Sequence, residues 1–272
     1  MRTQADAGPG AFSTCGLVTL TTDFGLADPY VGIVHGVILG ASPRARIVDL
    51  CHAIPPQDVA RASFFLAHAR AYFPPGTVHV AVVDPGVGSR RRILLAIDQG
   101  QAFLAPDNGL LGPVLSSTAR VRELDVARFA LPRASRTFHG RDVFAPAAAA
   151  LVNGLDALGV GTGPALDFER TELPRAVVDG DTGEARVLFA DRYGNVVLGV
   201  RAEDLGDDPS RWSVEVRGRS LRVLGTYADA APREALALVD SFGSLEIAVR
   251  DGNAAETFGL GSGDRVTLRR IR

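Results

Sequence analysis

The chain has 272 residues, 29 basic and 31 acidic, for a formal net charge of −2. A balance this close to zero leaves no basic footprint for a nucleic-acid partner. Hydrophobic residues at 46% and charged residues at 22% fit a globular chain long enough for one large domain or two smaller ones.

Residues 1–16, "MRTQADAGPGAFSTCG", are polar and Gly/Ala-rich. They lack the apolar core of a signal peptide and read as a flexible tail. No apolar run approaches the length of a membrane span, so no membrane partner is expected and the expected location is the cytoplasm. Cys15 and Cys51 form no CxxC or zinc pattern and read as free thiols.

"LVTLTT" (17–22) reads as a buried strand. The stretch 28–42 has a helical period that puts Tyr30, Ile33, Val34, Val37 and Ile38 on one side. A second strand is expected at 45–51, then a helix over 58–73 with Asp58 as its N-cap. Strands follow at 76–84 and 91–98. Residues 101–115 read as a short strand, a turn at Asp107–Gly109 and a short helix. One more helix is expected at 142–154, ending at Gly154. This alternation argues for an α/β domain with a largely parallel sheet over 17–165. Residues 166–184 are assigned as a linker. From 185 to 272 short apolar runs recur between turn residues, among them "EARVLFAD", "GNVVLGV", "WSVEVRG", "SLRVLGTY", "EALALVD", "SLEIAVRD" and "DRVTLRR". That rhythm indicates a small all-β barrel or sandwich.

Three acid-bearing turns fall at the carboxyl ends of expected strands: Asp23 in "TTDFG", Asp84 in "VVDPGVGSRRR" and Asp107 in "APDNG". Ligands of open α/β sheets bind at that edge, although Asp and Gly are also ordinary turn residues. Asp23 is suited to a pair of vicinal hydroxyls, since an ionised carboxylate accepts two hydrogen bonds; its structural alternative is to cap the next helix. In "RTFHGRDVF", His139 stands directly before a helix and titrates near neutral pH. Asp142 reads as that helix's cap, and Arg141 as a partner for Asp142 or for a distant carboxylate. Asn195 in "DRYGN" and Asn253 in "RDGNAA" offer amides that could read an adenine edge, or ordinary turn chemistry. The chain holds no GxxxxGK[ST], no GxGxxG after a strand and no GxSxG. It has no HExxH or paired-histidine spacing, so no metal site and no cofactor are expected.

Taken in order, "TTDFGLADPYVGIVHGVI", "VVDPGVGSRRR", "APDNGLLGPV", "RTFHGRDVFAPAAAAL", "DRYGN" and "SFGSLEIAVRDGNAA" resemble the S-adenosyl-L-methionine (SAM) hydroxide adenosyltransferases, relatives of the fluorinating and chlorinating SAM enzymes. The resemblance runs from about residue 17 to 270. It implies a two-domain subunit, a homotrimer, and a SAM site between the first domain of one subunit and the second of its neighbour. It implies a catalytic Asp–Arg–His triad around a water, which by motif position is Asp84, Arg91 (flanked by Arg90 and Arg92) and His139. It places Asp23 on the ribose hydroxyls, Asp191 on the methionine ammonium, and Phe138 and Asn195 along the nucleoside pocket. Ser241 falls near the methionine carboxylate and the Ala254 backbone near adenine. Three departures stand out. Gln57 replaces an aromatic, Phe242 replaces an arginine of the halogenases, and "VVLGV" after Asn195 lacks a frequent "TN".

The implied reaction is attack of water on ribose C5′ of SAM, giving adenosine and L-methionine. Three rivals are a SAM-dependent halogenase, a SAM- or adenosine-binding protein without catalysis, and a metal-dependent phosphoesterase using the clustered acids.

Overall fold

The computed structural model describes residues 12–157, 159 and 161–271, so most of the expected flexible tail lies outside the described residues. Within 12–16, Phe12 packs against the core and Cys15 N–H donates to Gly76 O at 3.0 Å. The chain divides into two compact units, Met1–Glu172 and Leu173–Arg272.

The first unit carries β1 (Leu17–Thr22), α1 (Tyr30–Ala41), β2 (Arg46–Cys51), α2 (Val59–Ala69), β3 (Val78–Val82), β4 (Ile93–Asp98), β5 (Gln101–Pro106), β6 (Arg120–Leu124), α3 (Val126–Phe129), α4 (Ala145–Val152) and β7 (Gly161–Pro164). Its sheet has the order β2-β1-β3-β5-β4-β6-β7. β2, β1, β3 and β5 run parallel, and β4, β6 and β7 extend the sheet antiparallel. The β3–β5 strands are apolar on both faces because helices cover both. α1 and α4 pack with Val18, Leu20, Val78 and Val80 on one face. On the other face α2 packs Ala62 and Leu66 with Ala81, Val83 and Phe103. From β1 the chain moves outward to β2 and then back across to β3. The β1/β3 pair is therefore a topological switch point, and Asp23 and Asp84 follow directly from those two strands.

The α/β expectation holds, with local differences. Asp58 caps α2, its side chain accepting from Arg61 N–H at 3.0 Å; the α-helix stops at Ala69 and a single 3₁₀ turn completes it. α1 buries Val31, Val34 and Ile38, whereas Tyr30 and Ile33 are exposed. The expected helix after Asp107 is a run of turns, because Gly109 takes φ 90° and both Gly109 and Gly112 lie against Thr171, leaving no room for side chains. The helix expected at 142–154 begins earlier, with a π-turn over Gly140–Phe144 in which Ala145 N–H reaches back to Gly140 O. Asp142 does not cap it; its buried carboxylate accepts from Arg141 and from Ser135 N–H.

The second unit carries β8 (Val177–Asp179), β9 (Thr182–Ala190), β10 (Val196–Arg201), β11 (Trp212–Val216), β12 (Arg219–Leu224), β13 (Ala235–Val239), β14 (Ser244–Val249), α5 (Ala254–Phe258) and β15 (Arg265–Arg270). Seven strands close into a barrel in the order β10-β14-β13-β12-β11-β15-β9, and β9 returns to pair with β10. These are the seven apolar runs of the sequence. Inward residues such as Val187, Leu198, Val214, Leu221, Ile247 and Leu268 fill the interior, and closure removes the sheet's edges. β8 adds to β9 as a hairpin, so β8 and the start of β9 fall in the 166–184 stretch. Among the described residues no helix is long and apolar enough to cross a membrane.

Candidate functional site

The three acid turns diverge in what they do. Asp107 is saturated: Arg92 Nε donates to its Oδ2 at 2.7 Å and Glu169 N–H to its Oδ1 at 2.7 Å. It ties the 167–169 segment to the end of β5 and is a structural residue. Asp23 does not cap α1, whose N-terminus at Pro29 has no side-chain cap. Its Oδ2 accepts from the backbone N–H of Gln57 at 2.9 Å. Gln57 therefore meets this turn through its backbone, held at φ 68°. Phe24 N–H donates to Thr22 Oγ1 at 3.2 Å and Gly25 N–H to His52 O at 2.8 Å, which fixes the Asp23 turn against the exit of β2.

Asp84 is the acid with a reactive neighbourhood. Arg91 forks onto it, with Nε donating to Oδ1 at 3.1 Å and Oδ2 at 3.0 Å and Nη2 donating to Oδ2. The same Nη2 lies 2.8 Å from His139 Nδ1. Arg92 turns away to Asp107 and Asp167, so Arg91 is the arginine that joins the acid to the imidazole. The loop is tight for a reason. Gly88 has φ 77°, and a Cβ there would collide with the carbonyl of Arg136. That close approach seats the 84–91 loop on the segment leading to His139.

The hydrogen-bond direction fixes the histidine's state. A guanidinium has donors only, so Nδ1 of His139 must accept and the proton of the neutral ring sits on Nε2. Burial, and then the charge of Arg91, push the His139 pKa below its ordinary value, against smaller opposing effects of Asp84 and Asp142. The ring is accordingly neutral at neutral pH, with an Nε2–H to give. The Asp84 oxygens each retain acceptor capacity beyond the Arg91 fork. The trio thus offers one proton acceptor, one cation fixing its orientation, and one neutral donor.

Phe138, directly before His139, packs edge-on against Phe24 and Tyr30 with ring centroids 5.8 and 5.3 Å away, and Arg141 lies over its ring at 5.1 Å. This aromatic group joins the Asp23 turn, the start of α1 and the His139 segment.

In the second unit, Asp191 Oδ1 accepts from the backbone N–H groups of Tyr193 and Asn195 at 2.8 and 2.9 Å. Asn195 Nδ2 lies 3.5 Å from both Asp191 Oδ2 and the Tyr227 hydroxyl. Gly194, with φ 81°, lets this loop dock on the next, since a Cβ would collide with the Asn253 side chain, and Ala255 N–H donates to Gly194 O at 2.9 Å. Asp191, Asn195 and the Ala254 backbone are thereby brought together. Asn253 itself caps α5, accepting from Glu256 N–H, so its amide serves turn chemistry. Ser241 is exposed on the turn after β13, and Arg201 reaches this turn, donating to Phe242 O at 3.2 Å.

Two residues here escaped the sequence reading. Tyr227 donates to buried Glu246 at 2.7 Å. Burial, reinforced by the charges of Asp191 and Asp240, raises the Glu246 pKa from 4.5 to about 7, although the Tyr227 hydrogen bond opposes this. Glu246 left no signal in the sequence: in "SLEIAV" the acid alternates with the inward Leu245 and Ile247, as an outward residue of a barrel strand does. Elsewhere, a hollow of about 480 Å³ beside Arg70 and Asp98 lies at the opposite edge of the first sheet. Its charges are already committed to each other at 2.7 Å, so it offers little for a reaction.

Comparison with known proteins identifies the family. A family model described as the SAM hydroxide adenosyltransferase N-terminal domain matches residues 18–161, and its C-terminal counterpart matches 185–267. An (R)-S-adenosyl-L-methionine hydrolase of Thermus thermophilus is 41% identical over 92% of this chain and 98% of its own length. One of Salinispora tropica is 41% identical over 92% and 97%. A fluorinase of Nocardia brasiliensis is 26% identical over 93% and 96%. The solved structure of a conserved protein from Thermotoga maritima superimposes with a TM-score of 0.85 at 33% identity, covering 93% of this chain and 100% of that one.

Proposed function

The chain belongs to the SAM hydroxide adenosyltransferase family, and from that membership we propose that it hydrolyses S-adenosyl-L-methionine to adenosine and L-methionine. The observation that carries the reading is the joined Asp84–Arg91–His139 network at the carboxyl edge of β3, one strand from Asp23.

SAM is a sulfonium, and methionine leaves as a neutral thioether that needs no general acid. The demand falls on the nucleophile. Water, with a pKa of about 15.7, must lose a proton as it attacks C5′. In the proposal Asp84 accepts that proton, a contribution of roughly 10²–10⁴-fold. Arg91 holds the carboxylate face toward the water. His139 acts through its Nε2–H, which orients the oxygen's lone pair toward carbon; with Nδ1 occupied by Arg91 the ring has no second acceptor. Alignment of water opposite sulfur supplies the larger share through proximity. Asp23 takes the ribose hydroxyls, and Phe138, Asn195 and the Ala254 backbone take the nucleoside. In the second unit Asp191 takes the ammonium, and Ser241 with Arg201 the carboxylate. The proposal includes a homotrimer, measurable by sedimentation equilibrium, and requires no cofactor.

Reaction in ¹⁸O-labelled water tests the chemistry: label is expected in the adenosine 5′-hydroxyl, and label in neither product's new bond would reject attack at C5′. Asp84→Asn is expected to lower single-turnover rates by roughly 10²–10⁴-fold, and His139→Ala by a large factor, while calorimetry still shows SAM binding. Wild-type rates in both would remove the network from the mechanism. Formation of 5′-halo-5′-deoxyadenosine with chloride or fluoride would favour the halogenase instead.

A further inference from the structure

We propose that His35, Asp49 and His52 form a binding site for one divalent first-row transition cation at the exit of β2. The three residues come from α1, β2 and the turn after β2. His35 Nε2 lies 2.8 Å and His52 Nε2 2.9 Å from the same oxygen, Asp49 Oδ1, and all three donor atoms fall within 4.8 Å of one another. Two imidazole nitrogens and one carboxylate oxygen form a donor set suited to Zn²⁺, Fe²⁺, Co²⁺ or Ni²⁺ and poorly suited to Ca²⁺ or Mg²⁺. The spacing is within reach of one ion: ligands about 2.0–2.1 Å from it stand about 2.9 Å apart at right angles and about 3.3 Å apart in a tetrahedron, so shifts of a few tenths of an ångström seat it.

The second observation concerns His52 alone. Its side chain is 3% exposed, and among the described residues its Nε2 has no aligned hydrogen-bond partner. It stands close to Asp49 Oδ1 yet does not point along a hydrogen bond to it. An unsatisfied buried ring nitrogen is costly, and a cation shared with His35 and Asp49 satisfies it. The far side of the ring is already fixed: His52 Nδ1 lies 2.8 Å from Thr22 Oγ1. Such an outer hydrogen bond is the usual support of a metal-bound imidazole, orienting it and setting its tautomer. Asp49 is 39% exposed and His35 29%, so an ion has a path in and remaining positions open to water. Since His52 O and Thr22 Oγ1 also hold the turn carrying Asp23, the ion would brace that turn from behind. The sulfonium displacement does not need it.

The test uses the full chain, freed of metal with a chelator that is then removed. Titration with Co²⁺ is expected to give saturable visible ligand-field absorption at one equivalent per chain. Calorimetry with Zn²⁺ is expected to show one site, with displacement of the bound Co²⁺. His35→Ala, on the accessible face of α1, and Asp49→Asn should each abolish the saturable signal. Thr22→Val should weaken binding by about 10-fold or more, the range seen for outer-shell partners. Circular dichroism confirms that each variant is folded. If Asp49→Asn does not fold, His35→Ala and His35→Gln carry the comparison. Absence of saturable binding in the parent chain, or equal binding by the folded His35 variants, would overturn the site and leave the trio a hydrogen-bonded group. Neither outcome depends on whether SAM is hydrolysed.

Discussion

At the scale of single residues, His139 and Glu246 have pKa values displaced in opposite directions. His139 is held neutral, with its Nε2–H free to donate, whereas Glu246 is held partly protonated near neutral pH. Glu246 is one of three acids in the second unit whose charges act on one another, with Asp191 and Asp240, and Tyr227 bonds to it directly. In the proposed site, an ammonium held at Asp191 would favour the fully ionised cluster. Lowering the pH from about 7 to about 5 protonates Glu246 and removes one negative charge. The KM for SAM should then rise, by roughly three- to tenfold for the loss of an ~1 kcal/mol interaction between partly screened charges, with kcat unchanged by this group. In Glu246→Gln the rise should vanish and KM stay at its low-pH level. An unaltered KM profile in that variant would detach Glu246 from substrate binding; a merely structural role would leave the profile's shape intact.

Between elements, a buried polar link of the first unit is the pair Arg70–Asp98, which joins the end of α2 to the β4–β5 turn. Asp98 Oδ2 accepts from Arg70 at 2.7 Å and from Ser116 N–H at 3.0 Å, and Oδ1 accepts from the Ser116 hydroxyl at 2.6 Å. Removing the acid alone strands a buried guanidinium. Asp98→Ala is therefore expected to cost about 3–5 kcal/mol, read from urea unfolding, while the double change Arg70→Met, Asp98→Leu should recover much of it. A loss below about 1 kcal/mol in the single variant would show that solvent reaches the pair. Elements of this unit were legible where one physical signal dominated. Apolar runs at β1, β3, β4 and β5 and the Asp58 cap marked their own positions. β6, with the sequence "RVREL", is half polar because it nears the sheet's antiparallel edge, and β7, "GTGP", has almost no side chains to read. The acids at strand ends were visible as turn residues, and the motif resemblance paired Asp84 with Arg91; that Asp107 is structural depends on Arg92 and on Glu169, which arrives from 62 residues away. His35, Asp49 and His52 show no motif spacing, because α1 and β2 bring them together only after the sheet has formed. Glu246 looked like an ordinary polar residue on the outer face of β14, because its burial comes from the segment around Tyr227 that covers that face.

For the whole molecule, the division into two units separates two opposite dependences of stability on pH. In the first unit the carboxylates and histidines with displaced values are shifted down. Burial, and then the charge of Arg70, lower the His79 pKa from 6.5 to about 3. Asp98 is lowered as well: burial opposes the shift, but hydrogen bonds from Ser116 and Arg70 outweigh it. Between pH 6.5 and about 3 the unfolded chain takes up a proton at His79 that the folded unit refuses. The first unit should therefore lose stability as pH falls through that window. In the second unit Glu246 is shifted up, from 4.5 to about 7. Between those values the folded barrel binds the proton and the unfolded chain does not, so this unit should lose stability as pH rises from about 4.5 to about 7, by roughly 3 kcal/mol at most. Two probes report the units separately. The chain's single tryptophan, Trp212, is buried in the barrel. The helical dichroism at 222 nm comes mainly from α1, α2 and α4 of the first unit. Urea unfolding at pH 5 and pH 7 should move the dichroism midpoint upward with pH and the tryptophan midpoint downward. Glu246→Gln should flatten the tryptophan trend and leave the dichroism trend in place. Coincident midpoints at both pH values would mean that the two units unfold as one cooperative body, and midpoints moving in the same direction would reject the opposed titrations of His79 and Glu246.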